Sequence, residues 1–287
     1  MSRWSDAAFV LDLSFWAHKA WHAVARDTPK DRAPAMLPAF ASMLVKLLAE
    51  QEPRFLFVAA EMLGPTWRHD LYPAYKAERA PHPPGFDGQL VEAIRFLELH
   101  RFPVLGAGGF EADDVIATIV RQVRAQGVPV VVLTADKDLR QLVVDEEPIV
   151  VLWDGKDRWC GERTVREEWK IAPALVGDLL ALTGDDGDGI PGVPGVGPVT
   201  ASKMLARAPD VEKVIAHHDW WTPKIGVVVR ERAEQIRLAR RLVELRDAPV
   251  TVDLEAARVL PERWDRAGLV AWYEERGLGK LAVRLRE

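Results

Sequence analysis

The feature that most restricts the fold is a set of short apolar runs that stop at carboxylates. Val128 to Thr134 is a continuous β-branched run, the pattern of a strand buried on both faces of a parallel sheet, and it leads directly into Ala135-Asp136-Lys137-Asp138. Phe9-Val10-Leu11 closes on Asp12, and Arg54 to Ala60 closes on Glu61. Ile149 to Trp153 reads as a further strand that turns at Asp154-Gly155 into Arg158-Trp159. Between these runs the spacing becomes helical. Leu37, Phe40, Leu44, Leu47 and Leu48 share a face ahead of Pro53, and Val115, Ile116, Ile119 and Val123 share another ahead of Gly127. Strands alternating with helices predict an α/β fold with a central, mostly parallel sheet flanked by helices. In such sheets chemistry gathers at the carboxyl ends of strands, so Asp12, Glu61, Asp136 and Asp138 are candidates for one crevice. Asp12 is equally suited to cap the helix that Phe15, Trp16 and Trp21 suggest.

Two further acidic clusters join them. Glu111-Ala112-Asp113-Asp114 opens an apolar-periodic helix. It reads either as an acidic first turn favoured by the helix dipole or as part of a cation site, since like charges this close raise one another's pKa or demand a counter-ion. On a helix Glu111 and Asp114 share a face, while Asp113 is rotated from Asp114 by about 100°. Thr183-Gly184-Asp185-Asp186-Gly187-Asp188-Gly189 follows a helix over Leu175 to Leu182. An EF-hand reading of this turn fails because Val196 stands where the twelfth-position Glu belongs. Gly192-Val193-Pro194-Gly195-Val196-Gly197 then precedes a helix from Val199, an arrangement that lets backbone N–H groups approach phosphate, though it lacks the Lys-Ser/Thr ending of a P-loop. Thr164 and Glu167 have the spacing of a capping box for a short helix.

Residues 64–100 interleave Trp67, Arg68, Tyr72, Tyr75, Lys76 and Arg79 before a Pro-rich stretch. They suit either a surface that tracks single-stranded nucleic acid or an exposed loop with snorkelling cations. Arg230, Arg232, Arg237, Arg240, Arg241 and Arg246 suit a solvated helix face or a phosphate-contact surface. The net charge of −5 argues against a polyanion binder held by bulk charge, but setting aside the nine candidate carboxylates leaves a mildly basic remainder. A single cysteine, Cys160, excludes an internal disulfide and a multi-cysteine zinc cage. Oxygen donors without Cys or a His pair select Mg²⁺ or Mn²⁺. Two such ions roughly 4 Å apart would clamp the attacking and leaving oxygens of a phosphodiester, so the residues themselves point to metal-dependent phosphodiester hydrolysis.

Phe9 to Asp12, Arg68-His69, Tyr75 to Arg79, Glu111 to Val115, Asp136 to Leu139 and Gly184 to Pro198, in this order, resemble the flap endonuclease and 5′→3′ exonuclease family. The resemblance covers roughly residues 7–210. It implies a PIN-like 5′-nuclease core over 7–170 with a helical arch near 64–100, then a helix–three-turn–helix element and C-terminal helices over 171–287. It assigns Asp12, Glu61, Glu111, Asp113, Asp114, Asp136, Asp138, Asp185 and Asp188 to a metal cluster. Lys76 and Arg79 are placed at the scissile phosphate. Lys19, Arg68, Tyr75, Gly192, Val193, Gly195, Val196, Gly197, Thr200 and Lys203 are assigned to DNA contact, with K⁺ at the helix–three-turn–helix. The chain departs from the family at Glu61 (usually Asp), Leu13 and Ala135 (usually Gly), Asp186-Gly187 with Gly189 (usually Ser-Ser and Asn), and Lys19 (often Arg). The expected function is cleavage of DNA flaps and 5′ ends by a monomeric, cytoplasmic, stand-alone enzyme. A catalytically weakened structure-specific DNA-binding protein is the alternative, and an RNA-directed nuclease would use the same metals.

Overall fold

A computed structural model describes residues 3–29, 32–156 and 158–286 of the chain. Six strands form one sheet in the order β3-β2-β1-β4-β5-β6: β1 (Ala8–Asp12), β2 (Phe55–Ala59), β3 (Val104–Leu105), β4 (Val130–Leu133), β5 (Val150–Trp153) and β6 (Trp159–Cys160). All neighbours pair in parallel except the edge strand β6, which runs antiparallel to β5. Helices α1 (Leu13–Ala25), α2 (Met36–Gln51), α3 (Trp67–Leu71), α4 (Phe86–Leu99), α5 (Ala112–Arg124) and α6 (Glu162–Trp169) accompany the sheet. A second helical run follows: α7 (Val176–Thr183), α8 (Pro198–Arg207), α9 (Val211–Ala216), α10 (Pro223–Glu231), α11 (Ala233–Leu242), α12 (Arg266–Glu275) and α13 (Gly279–Arg286).

The continuous apolar strands are explained by burial on both faces. Val10, Phe57, Val130 and Val132 point into a core shared with α5, α7, α8 and α11. Their neighbours Phe9, Leu11, Leu56, Val58, Val131 and Leu133 point into a second core with α1, α2, α4 and α12. Each such side chain contributes about 1.5–3 kcal/mol by leaving water, so the central strands are anchored from both sides. The last two helices return to this second core, where Leu269, Trp272, Tyr273 and Ala282 are buried beside Phe96.

Three local expectations change. The capping box at Thr164 does not form: β6 ends at Cys160, so the N-cap of α6 falls three residues earlier, at Gly161, and the Thr164 hydroxyl donates to Trp159 O. Residues 64–100 form a short cover of α3, a tight turn and α4, with Arg68 and Tyr75 buried inside it. From Val243 to Arg258 the chain is irregular and not helical, and Ala257 and Arg258 pair with the start of β2. Among the described residues no helix is long and apolar enough to cross a membrane.

Because β2 lies on one side of β1 and β4 on the other, the crossover direction reverses between β1 and β4. A crevice opens at the carboxyl ends of these two strands, where Asp12 and Thr134 emerge.

Candidate functional site

The crevice is a cavity of about 340 Å³ lined by Asp12, Glu61, Glu111, Asp113 and Asp136, with Lys76 and Arg79 on its covering side. Asp12 ends β1 and caps α1, its Oδ1 accepting from Phe15 N at 3.1 Å while Oδ2 accepts from the Thr134 hydroxyl at 2.9 Å. The N-cap reading of Asp12 holds through Oδ1, and the same side chain lines the crevice. Burial, opposed by those hydrogen bonds and aided by Asp136 and Glu61, pushes Asp12 up to about 6. Burial and the charges of Asp136, Asp12 and Asp138 raise Asp113 well above the usual carboxylate range. Glu61 is raised by burial and by Glu111, against the pull of Lys76 and Arg79. Carboxylates held this way are short of positive charge.

A small adjoining void of about 10 Å³ shares Glu111 and Asp113 with the crevice and adds Asp138 and Asp188. It has room for roughly one water-sized particle. Burial and Asp136 push Asp138 up to about 7, and its Oδ1 is buried with no hydrogen-bond partner among the described residues. Two cations already serve the rim. Lys76 Nζ lies 3.0 Å from Glu111 and 3.7 Å from Asp188, and Lys137 lies 2.7 Å from Asp185. Although burial disfavours its charge, Glu111 and Asp188 hold Lys76 above its ordinary range. Lys76 also sits at φ 54°, its N–H donating to Asp188 O, so the acidic turn after α7 fixes the lysine's backbone.

The donors are all hard oxygens, and an orphaned buried carboxylate oxygen points among them, which fits a hard divalent cation. No three described Asp, Glu, His or Cys side chains converge closely enough to cage an ion by themselves. An ion that keeps several waters and takes the rest of its shell from a phosphate matches such spacing.

Residues 7–170 match the 5′-3′ exonuclease N-terminal resolvase-like domain, and residues 171–265 match the 5′-3′ exonuclease C-terminal SAM fold. The chain belongs to the 5′-3′ exonuclease family. Among curated relatives, DNA polymerase I of Rhizobium leguminosarum is 37% identical over 277 residues, covering 90% of this chain and 26% of the polymerase. Thermostable DNA polymerase I of Thermus filiformis is 34% identical, covering 95% of this chain and 32% of the polymerase. The chain thus spans about a quarter to a third of the length of these relatives. Phage T5 5′-exonuclease, solved with bound divalent zinc ions, shares the fold at TM-score 0.70 and 21% identity, over 83% of this chain and 89% of its own. The catalytic core of Rad2 in complex with DNA substrate aligns at TM-score 0.57 and 13% identity, over 94% and 87%.

Within this 5′-3′ exonuclease fold, several residues expected at the site stand elsewhere. Asp114 is fully buried and faces away from the crevice acids. Its oxygens accept from Arg68 Nη1 at 2.7 Å and Nη2 at 3.1 Å, from Trp67 Nε1 at 3.1 Å and from Arg246 N at 2.9 Å. Its lone pairs are committed, so its expected place in the metal cluster is corrected. It also completes the reciprocal cap of α5 with Glu111, although it does so in the interior and not facing water as an acidic first turn would. Arg68, expected at DNA, is 3% exposed and also donates to Leu242 O and Glu244 O, joining α3 and α5 to the C-terminal segment. Tyr75 is likewise internal, its hydroxyl 3.1 Å from Glu111 and 3.0 Å from Asp188, able to donate to one at a time. Lys19 donates to Asp154 O.

In the turn between α7 and α8, Val193 and Val196 are buried while Gly195 and Gly197 are exposed, as is Lys203 on α8. Only the backbone of the two valines remains available to a ligand. Gly184 and Gly192 pack so closely that a Cβ on Gly192 would lie 2.1 Å from Thr183 O, which requires glycine there. The sequence reading missed Thr134, Lys137 and His18. Thr134 carried a signal, as the first hydroxyl beyond the β4 run and level with Asp12. Lys137 and His18 carried none that separates them from ordinary surface residues.

Proposed function

We propose that the chain hydrolyses DNA phosphodiesters at 5′ flaps and 5′ ends, using Mg²⁺ or Mn²⁺. The observation that carries this reading is the convergence of Asp12, Glu61, Glu111, Asp113 and Asp136 on one crevice covered by Lys76 and Arg79. In this reading Asp138, Asp185 and Asp188 hold the second cation position. The bound ions supply Lewis-acid charge to the phosphoryl oxygens and the attacking water. Lys76 and Arg79 place positive charge where phosphate oxygens become more negative in the transition state. Entry of substrate and cations requires Lys76 to leave Glu111, exchanging one ion pair for another. Thr134 holds Asp12 Oδ2, and Tyr75 holds Glu111 or Asp188, so the crevice carboxylates are oriented before any ion arrives.

Duplex backbone binds at the exposed Gly195, Gly197 and Lys203 and the half-buried Thr200 around the start of α8, with K⁺ on the carbonyls of the Gly192–Gly197 turn. The two parts of the protein, 7–170 and 171–287, thus take cleavage and duplex grip respectively, in a monomer that works in the cytoplasm. A labelled 5′-flap duplex incubated with Mg²⁺, Mn²⁺, Ca²⁺ or EDTA tests the proposal. Cleavage in Mg²⁺ or Mn²⁺ alone is the expected result. An intact flap in a stable complex would favour the DNA-binding alternative, and preferential cutting of an RNA flap would move the substrate to RNA.

A further inference from the structure

One group at the crevice mouth has no part in the reaction described above. His18, on α1, lines the crevice. Its ring stacks on Phe86 at 4.5 Å and meets His82 edge-on at 5.4 Å, with His22 at 6.2 Å. His82 also lies 4.7 Å from the same Phe86 ring, and its Nδ1 is 2.6 Å from Asp87 Oδ1. Phe86 is fully buried, so both imidazoles are held on a rigid platform. With Nδ1 engaged by Asp87, His82 keeps only Nε2 for a ligand.

Burial lowers the His18 pKa, and His82, His22 and Arg79 lower it further. Four groups that carry or can carry positive charge therefore repel one another at the mouth, with Asp87 beside His82 and the crevice acids on the inner side of His18 and Arg79. Repulsion of this kind is relieved by an anion. His18 is six residues along α1 from Asp12, about 9 Å at helical rise, which is on the scale of one nucleotide step.

Resting on the nuclease reading, we infer that His18 and His82, with Arg79, form a subsite for the terminal 5′-phosphate of the strand being cut, one nucleotide from the scissile bond. A terminal phosphate monoester carries more charge than an internal diester and has three oxygens to share among these donors. The subsite would make the chain discriminate 5′-phosphorylated from 5′-hydroxyl ends.

Equilibrium binding of nicked duplexes with either end, in EDTA so that no turnover occurs, tests this on the intact chain. Wild type should bind the phosphorylated end about tenfold more tightly, as expected for a charge-assisted hydrogen bond. His18→Gln and His82→Gln should each reduce that preference, and the double variant should bring it near unity. The His82 side chain is partly exposed, so His82→Gln carries the test if His18→Gln does not fold, with thermal melting as the check. Equal binding of the two ends by wild type, or a full preference in the double variant, would overturn the subsite. Because binding is read without cleavage, a chain that prefers the phosphate yet never cuts in Mg²⁺ or Mn²⁺ supports the subsite and sinks only the nuclease reading.

Discussion

Asp113 and Asp114 are consecutive residues in the first turn of α5, and they do opposite work. Asp113 faces the crevice among Asp12, Asp136 and Asp138, where Lys76 only partly offsets the repulsion within the group. Asp114 faces the other way into a dry joint, where Arg68 meets it with two hydrogen bonds and Trp67 is flanked by the guanidinium groups of Arg68 and Arg246 at 4.4 and 3.6 Å from its ring centre. Rotation by one residue on a helix thus separates a charge deficit from a charge-matched core. The crevice stores repulsion that an incoming ion can relieve, and the joint behind it keeps the helix from moving when that happens.

The largest expected effect breaks the crevice side alone. Asp136→Asn should lower flap cleavage by at least about a thousandfold, because a metal-holding carboxylate supports several kcal/mol of transition-state stabilisation. The melting temperature should stay level or rise, since one repelling charge is gone. Single-turnover cleavage and thermal melting of the same preparation check both halves, and Mg²⁺-dependent cleavage within tenfold of wild type would remove Asp136 from the metal site.

The joint should answer in the reverse sense. Arg68→Met leaves Asp114 buried without its partner and should cost about 3–5 kcal/mol in denaturant unfolding. Adding Asp114→Leu should recover much of that loss, because the stranded charge is then absent too. If Arg68→Met stays within about 1 kcal/mol of wild type, the pair is not the fastening that its geometry implies.

Legibility in the sequence follows the same division. The parallel sheet could be read because strands buried on both faces are apolar throughout, and the crevice because strand ends in such sheets point to one side. Asp113 and Asp114 could not be told apart as ligand and ion-pair partner. Helical rotation separates their directions, but the identity of what waits in each direction comes from Arg68 and Arg246, 46 and 132 residues away. Arg68 and Tyr75 failed for a related reason. Aromatic and basic residues interleave on nucleic-acid surfaces and also in buried polar joints, and only tertiary packing decides between them. The two-residue strand β3 is too short for any periodicity to register.

A smaller effect separates the two acids by pH. Asp12 is raised from its ordinary 3.8 to about 6 in the folded chain, so the folded state binds its proton more tightly than the unfolded state. That contribution is fully present below about pH 4 and is lost as pH rises through about 6, amounting to about 3 kcal/mol. Asp138, pushed up to about 7, extends the window in the same direction. Metal-free protein should therefore lose stability between about pH 4 and 7, apart from other titrations, and saturating Mg²⁺ should raise the melting temperature more at pH 8 than at pH 5. An Asp12→Asn chain should show a weaker pH slope without metal. A melting temperature indifferent to Mg²⁺ at pH 8 would mean that the crevice charges are already balanced.

The smallest expected effect concerns Glu61, the one crevice acid that the resemblance implies should be Asp. Its carboxylate is carried one methylene further from β2 than an Asp would place it, and the charges of Lys76 and Arg79 act on it there. Glu61→Asp pulls the carboxylate back by about one carbon–carbon bond, roughly 1.5 Å. Misplacement on this scale alters rate when a group positions a reacting atom. The substitution should accordingly raise kcat several-fold, leave DNA affinity unchanged and change stability by no more than about 0.5 kcal/mol, because it keeps the charge and removes one methylene from the open crevice wall. Single-turnover rates in Mg²⁺ and Mn²⁺ read this directly. A large fall in rate would show that the crevice has been rebuilt around the longer side chain, with Lys76 and Arg79 set to its reach, and Glu61 would then belong with Asp113 as a fixed member of the acidic group.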